Sequence, residues 1–143
     1  MEAVTGPTDR EARVVRPAGV AHPRLRLVTH AGREVIVFDL RGMTDHDEAV
    51  ALIEGPFRTF MDAQAPTRQL LTLVEVRDTP SSPKAAAAMR TFAHQNIPFV
   101  KASAVVTTSS IHRLAVGTIA MFTKRKIRAF EDEQAALAWL VAQ

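Results

Sequence analysis

The chain has 143 residues, 18 of them lysine or arginine and 15 aspartate or glutamate, for a net charge of +3; 47% are hydrophobic, 23% charged and none is cysteine. This is the size of one domain burying roughly two thirds of its unfolded surface. The absence of cysteine excludes disulfides, thiolate catalysis and cysteine-ligated zinc, and a cytoplasmic location is the expectation. The basic residues are scattered, which argues against nucleic acid. Met1 to Val20 lacks the apolar core of a signal peptide, and no apolar run reaches the roughly 18 residues that would span a bilayer.

Residues 1–22 mix Gly6, Pro7, Pro17 and Gly19 with arginines and show no periodicity, so they are read as a flexible N-terminal tail preceding one domain over 23–143. Leu25 and Leu27 alternate with Arg24 and Arg26, and after His30-Ala31-Gly32-Arg33 comes the apolar run Val35 to Phe38; together they predict a hairpin, its first strand at an edge. Val50, Ile53, Phe57, Phe60 and Met61 then recur at helical spacing behind Thr44 or Asp45 as the cap. Gly55-Pro56 within this pattern predicts a kink or two short helices.

Leu70, Leu71, Leu73, Val74 and Val76 form a central buried strand that Arg77-Asp78-Thr79-Pro80 ends. Ser82 before Pro83 starts the next helix. Phe99 to Val106 is another strand, and the polar turn Thr107 to Ser110 leads into a helix from Ile111 to Thr123. That helix has a stripe of Ile111, Ala115, Ile119 and Phe122 but little polar face, so it is either deeply buried or a contact surface. Ile127 and Phe130 mark a short last strand, Asp132 an N-cap, and Leu137, Trp139, Leu140 and Val141 a closing helix. The order β-β-α-β-α-β-α-β-α predicts an α/β fold: a single-domain, mixed but mostly parallel sheet with an N-terminal hairpin and covering helices.

That order, with Val35-Ile-Val-Phe-Asp-Leu-Arg-Gly42, the strand around Leu73 and Arg128-Ala-Phe-Glu-Asp-Glu-Gln-Ala-Ala-Leu-Ala-Trp-Leu140, resembles the SpoIIAA-like (STAS/SEC14-domain) family over about residues 24 to 142. Its most specific piece is Phe130 followed by an acidic pair and Ala-x-x-Trp-Leu. The resemblance implies a STAS-like fold. In the related anti-sigma factor antagonists, a serine at the start of the helix after the central strand is phosphorylated and switches partner binding. Ser81 and Ser82 stand at the similar place, although the antagonists' aspartate-serine-serine-glycine signature is absent. The SEC14 side of the family implies a lipid pocket.

Ser81 and Ser82 are thus candidate phosphorylation or switch residues, with a plain helix cap as the simpler reading. A ligand crevice is expected beyond the carboxyl ends of the strands, built from Asp39, Arg41, Glu75, Asp78, Thr107, Ser109, Ser110, His112 and Arg113. Within it, burial of Glu75 would be explained by an arginine partner, Arg41 or Arg77, and the turn before His112 and Arg113 is a candidate anion cradle without the glycine of phosphate loops. Ile111, Leu114, Gly117 and Met121 are candidate interface residues for a homodimer. No catalytic residue stands out, because Ser109 and His112 lack a nucleophile elbow, and the five histidines show no metal-ligand spacing. No cofactor is expected. Lys124-Arg125-Lys126 with Arg128 reads as a solvated basic patch or as a contact to an anionic membrane surface or acidic partner. The leading expectation is a non-enzymatic regulatory or scaffold domain that binds a protein partner; the alternative is a small-ligand or lipid carrier.

Overall fold

The computed structural model describes residues 22–143, so the tail expected over 1–22 lies, its last residue apart, outside the described residues. The alternating leucines and arginines make β1 (Leu25–His30), which pairs antiparallel with β2 (Arg33–Asp39). Ala31 and Gly32 between them both have positive φ, 50° and 79°, the two-residue turn whose twist suits a hairpin. Beside β2 lie β3 (Leu70–Glu75), β4 (Val100–Val106) and β5 (Ile127–Phe130), all parallel to it, and strand order follows chain order.

Asp45 caps α1 (His46–Leu52), its carboxylate accepting the Asp47 and Glu48 amides at 2.9 and 3.2 Å. At Gly55-Pro56, the site of the expected kink or two short helices, two short α-helices are present but not separated. The chain widens into a π-helical stretch, Ile53–Phe57, and continues into α2 (Arg58–Asp62). A π turn is a known way to accommodate an irregularity such as the missing amide of Pro56 without leaving the helical path. Ser82, Ser109 and Asp132 cap α3 (Pro83–Gln95), α4 (Ser110–Thr123) and α5 (Glu133–Val141) through their side-chain oxygens.

Because successive strands are neighbours, crossovers of one hand put their helices on one face. That face carries Ile36, Phe38 and Val74 against the helical run 46–62 and α3, with Phe38 packed on Phe57 and Phe92 at ring separations of 4.9 and 5.3 Å. The alternate residues Val35, Val37, Leu71 and Leu73, with Ala102, Ala104 and Val106, face the other way and meet Ala136, Leu137 and Leu140 of α5. Apolar side chains thus cover both faces of the sheet, as the near-continuous apolar strands require.

Candidate functional site

The helix α4 sits differently from its neighbours. Val116 is its one buried residue, while Ile111, Leu114, Met121 and Phe122 are 62 to 81% exposed. Of the expected stripe, Ala115 and Ile119 are half-buried and turned inward, while Ile111 and Phe122 at its ends are exposed. Between α4, α3 and the carboxyl ends of the strands lies a cavity of about 460 Å³, lined by Leu40, Ile53, Val74, Val76, Met89, Val105, Ala115 and Ile119 among others. The space exists because short side chains, Ala85, Ala86 and Ala115, stand where the two helices face each other. Its size falls within the roughly 300–1,000 Å³ of small-molecule sites, and its walls are apolar as such sites are.

At its inner end a second cavity of about 40 Å³ shares Val74, Met89, Val105, Val116 and Ile119 with the first, so the two adjoin. Its other walls include Thr72, Asn96, Ser103 and Arg125. Thr72 and Ser103 are register partners on β3 and β4, and their hydroxyls lie 2.6 Å apart. Lys124 ends α4 in the left-handed conformation at φ 55°, and the next residue, Arg125, donates to Ser103 Oγ at 2.5 Å and to the Ala93 carbonyl at 3.1 Å. Burial lowers the guanidinium's pKa to about 10. Among the described residues no carboxylate lies within ion-pair distance of Arg125. Asn96 Oδ1 is buried there without a hydrogen-bond partner.

The rim holds the residues expected to form the crevice, and most of them are engaged with one another rather than with the cavity. Asp39 accepts the Arg41 amide, and Arg41 lies 3.7 Å from Asp78, which turns the chain at φ 58°. Glu75, 2% exposed, is held by Arg77 at 2.5 Å, so of the two arginines weighed as its partner it is Arg77. Thr107 is fully buried; its hydroxyl accepts the Ser109 amide and meets His112 Nδ1, both at 3.0 Å. Burial lowers the His112 pKa. Arg113 reaches Glu131 at 3.3 Å, and Ser110 is exposed. His112, Ser81 and Ser82 do line the large cavity. Ser82 Oγ accepts the Ala85 amide at 3.0 Å, while Ser81 is exposed. Among the described residues no group of three histidines, aspartates or glutamates could hold a metal ion, and no helix is long and apolar enough to cross a membrane.

The inner polar cluster escaped sequence reasoning. Its signal was the pair of hydroxyls, Thr72 and Ser103, interrupting two otherwise apolar strands; Arg125 reads in the sequence as part of a basic run with Lys124, Lys126 and Arg128, and of the three consecutive residues only the two lysines are exposed.

A family model described as SpoIIAA-like matches residues 35–141. Among solved structures, an uncharacterized protein from Shewanella loihica PV-4 with a SpoIIAA-like fold superposes with a TM-score of 0.58 at 18% identity, over 81% of this chain and 91% of that one. That likeness carries the fold alone. No curated protein matches the chain.

Proposed function

This chain belongs to the SpoIIAA-like family, and we propose that it is a non-enzymatic binding domain that takes an apolar small molecule into the crevice between α3 and α4. What carries this reading is the coincidence of an apolar cavity of about 460 Å³ with a covering helix that buries only Val116. An apolar solute entering such a space removes its own surface and that of the walls from water, which favours binding by roughly 25 cal/mol per Å² buried. The rim supplies polar groups, His112 and Ser82 among them, at the point where a ligand would meet solvent. Native mass spectrometry of the purified full chain is expected to show a bound apolar molecule. Filling the crevice by Ala86→Trp should abolish both that adduct and the fluorescence gain of an added hydrophobic dye. Dye binding that is unchanged in the filled variant would remove the crevice from consideration.

A second reading, a protein contact or homodimer through the outer side of α4, is favoured by a separate observation. Leu114 and Met121, 74 and 79% exposed, stand one heptad apart on the side away from Val116, with the open position of Gly117 between them. Sedimentation at micromolar concentration decides it: a dimer that Met121→Glu dissociates supports this surface, and a wild-type monomer eliminates the homodimer.

A further inference from the structure

Arg125 is a half-buried cation beside the inner cavity, where hydroxyl and amide groups also stand. A guanidinium carries five N–H groups; here one goes to the Ala93 carbonyl and one to Ser103 Oγ. Ser103 and Thr72 hold two hydroxyl protons and share one hydrogen bond, so whichever of them donates, one proton is left over. The Asn96 amide lines the same cavity with its Oδ1 lacking a hydrogen-bond partner, and with oxygen and nitrogen exchanged, which differ little in shape, it would offer N–H groups there instead. A half-buried positive charge with no carboxylate partner among the described residues, beside a left-over hydroxyl proton, is satisfied best by an anionic acceptor.

We propose that the crevice receives a single-chain carboxylate, its hydrocarbon tail lying between α3 and α4 and its carboxylate seated against Arg125, Ser103 and Thr72. This deepens the reading of the crevice as a small-molecule site and rests on it. The two compartments divide as such a molecule divides: about 460 Å³ with apolar walls adjoins, at Val74, Met89, Val105, Val116 and Ile119, about 40 Å³ that has a polar end. The small compartment has room for only a few atoms, since one water needs about 10–15 Å³ measured this way. A carboxylate fits that space and matches the planar fork of the guanidinium, whereas a phosphodiester head with its glycerol does not. The competing account makes Arg125 a clamp that ties the end of α3, through Ala93, to the sheet.

Calorimetric titration of the full chain with decanoate and with 1-decanol tests the assignment, because the two share a tail and differ in the head. Decanoate is expected to bind one per chain and about 10- to 100-fold more tightly than decanol, the range for a hydrogen bond to a charged group. Arg125→Met should reduce decanoate to the level of decanol and leave decanol unchanged, and Arg125→Lys should recover part of the loss. If Arg125→Met does not fold, Ser103→Ala serves in its place, with a loss of about 5-fold or more for decanoate alone. Equal affinity for the two ligands in the wild-type chain overturns the carboxylate seat while leaving the crevice intact, as does a variant that loses both equally. Decyl phosphate binding more tightly than decanoate overturns the choice of headgroup. Failure of both decanoate and decanol to bind removes the crevice itself and the proposal with it.

Discussion

The two faces of the sheet are closed in opposite ways. On one, the nine residues of α5 cover seven buried strand residues, with Ala136, Leu137 and Leu140 at most 1% exposed. On the other, the fourteen-residue α4 contributes Val116 and leaves four large apolar side chains in water, over a cavity it does not fill. Apolar content does not decide burial. The strand beneath α5 offers Ala102 and Ala104, over which a helix can settle closely, whereas α4 must bridge from the end of β4 to β5 and meets α3 across alanines. One face therefore contributes packing and the other retains room, and a binding function belongs with the second.

The contrast breaks most visibly under truncation. Leu137→Ala should cost about 2–5 kcal/mol in denaturant unfolding, because it opens a cavity in the sealed layer, while Leu114→Ala should stay within about 0.5 kcal/mol. Comparable losses at both positions would mean that α4 is packed as tightly as α5. The sealed face ends at Glu75, on the same side of β3 as Leu73, and Arg77→Ala would leave that 2% exposed carboxylate without its partner. A loss of about 3 kcal/mol in the same assay is expected. Ser82→Ala removes one cap bond from α3 and should cost about 1 kcal/mol without altering ligand binding. If an Asp at Ser81 or Ser82 changes partner affinity at constant melting temperature, the switch suggested by the family resemblance gains ground over the cap.

The smallest effect is a pH dependence at the open face. The folded-state pKa of His112 lies below its unfolded value near 6.5, because burial disfavours the charged ring. The unfolded chain then binds a proton that the folded chain resists, so stability falls as pH drops through and below 6.5. His112→Gln should flatten that part of a melting-temperature profile; an unchanged slope would mean that the ring is solvated when charged.

Elements whose residues announce themselves twice, by period and by punctuation, were legible in the sequence. The hairpin, the caps at Asp45, Ser82 and Asp132, and the mixed sheet with its SpoIIAA-like order all follow from such double signals. Local patterns carry no information about three-dimensional spacing between helices, and the site lay there. Asp39, Arg41, Asp78 and Arg113 were placed at the correct end of the sheet but turn to each other or to Glu131, because short-range charge pairs at loop ends are satisfied locally. Arg125 looked like one of three surface cations, and only the left-handed turn at Lys124 sends it beneath α4. The π-helical stretch was likewise hidden, since Gly55-Pro56 signals an irregularity without saying which.

Strand order that follows chain order also bears on how the molecule is made. Each strand can dock on the one synthesised just before it, so the sheet can grow from β1 toward β5 while the chain is still emerging, each parallel pair waiting only for the helical crossover between its strands. The layer under α5 cannot follow that schedule. Val35 and Val37 are in place early, yet they remain wet until residues 133–141 arrive to cover them. A nascent chain halted after β5 would thus present a nearly complete sheet with one bare apolar face, a form inviting chaperone capture, and its release from such a chaperone should coincide with the appearance of Leu137 and Leu140.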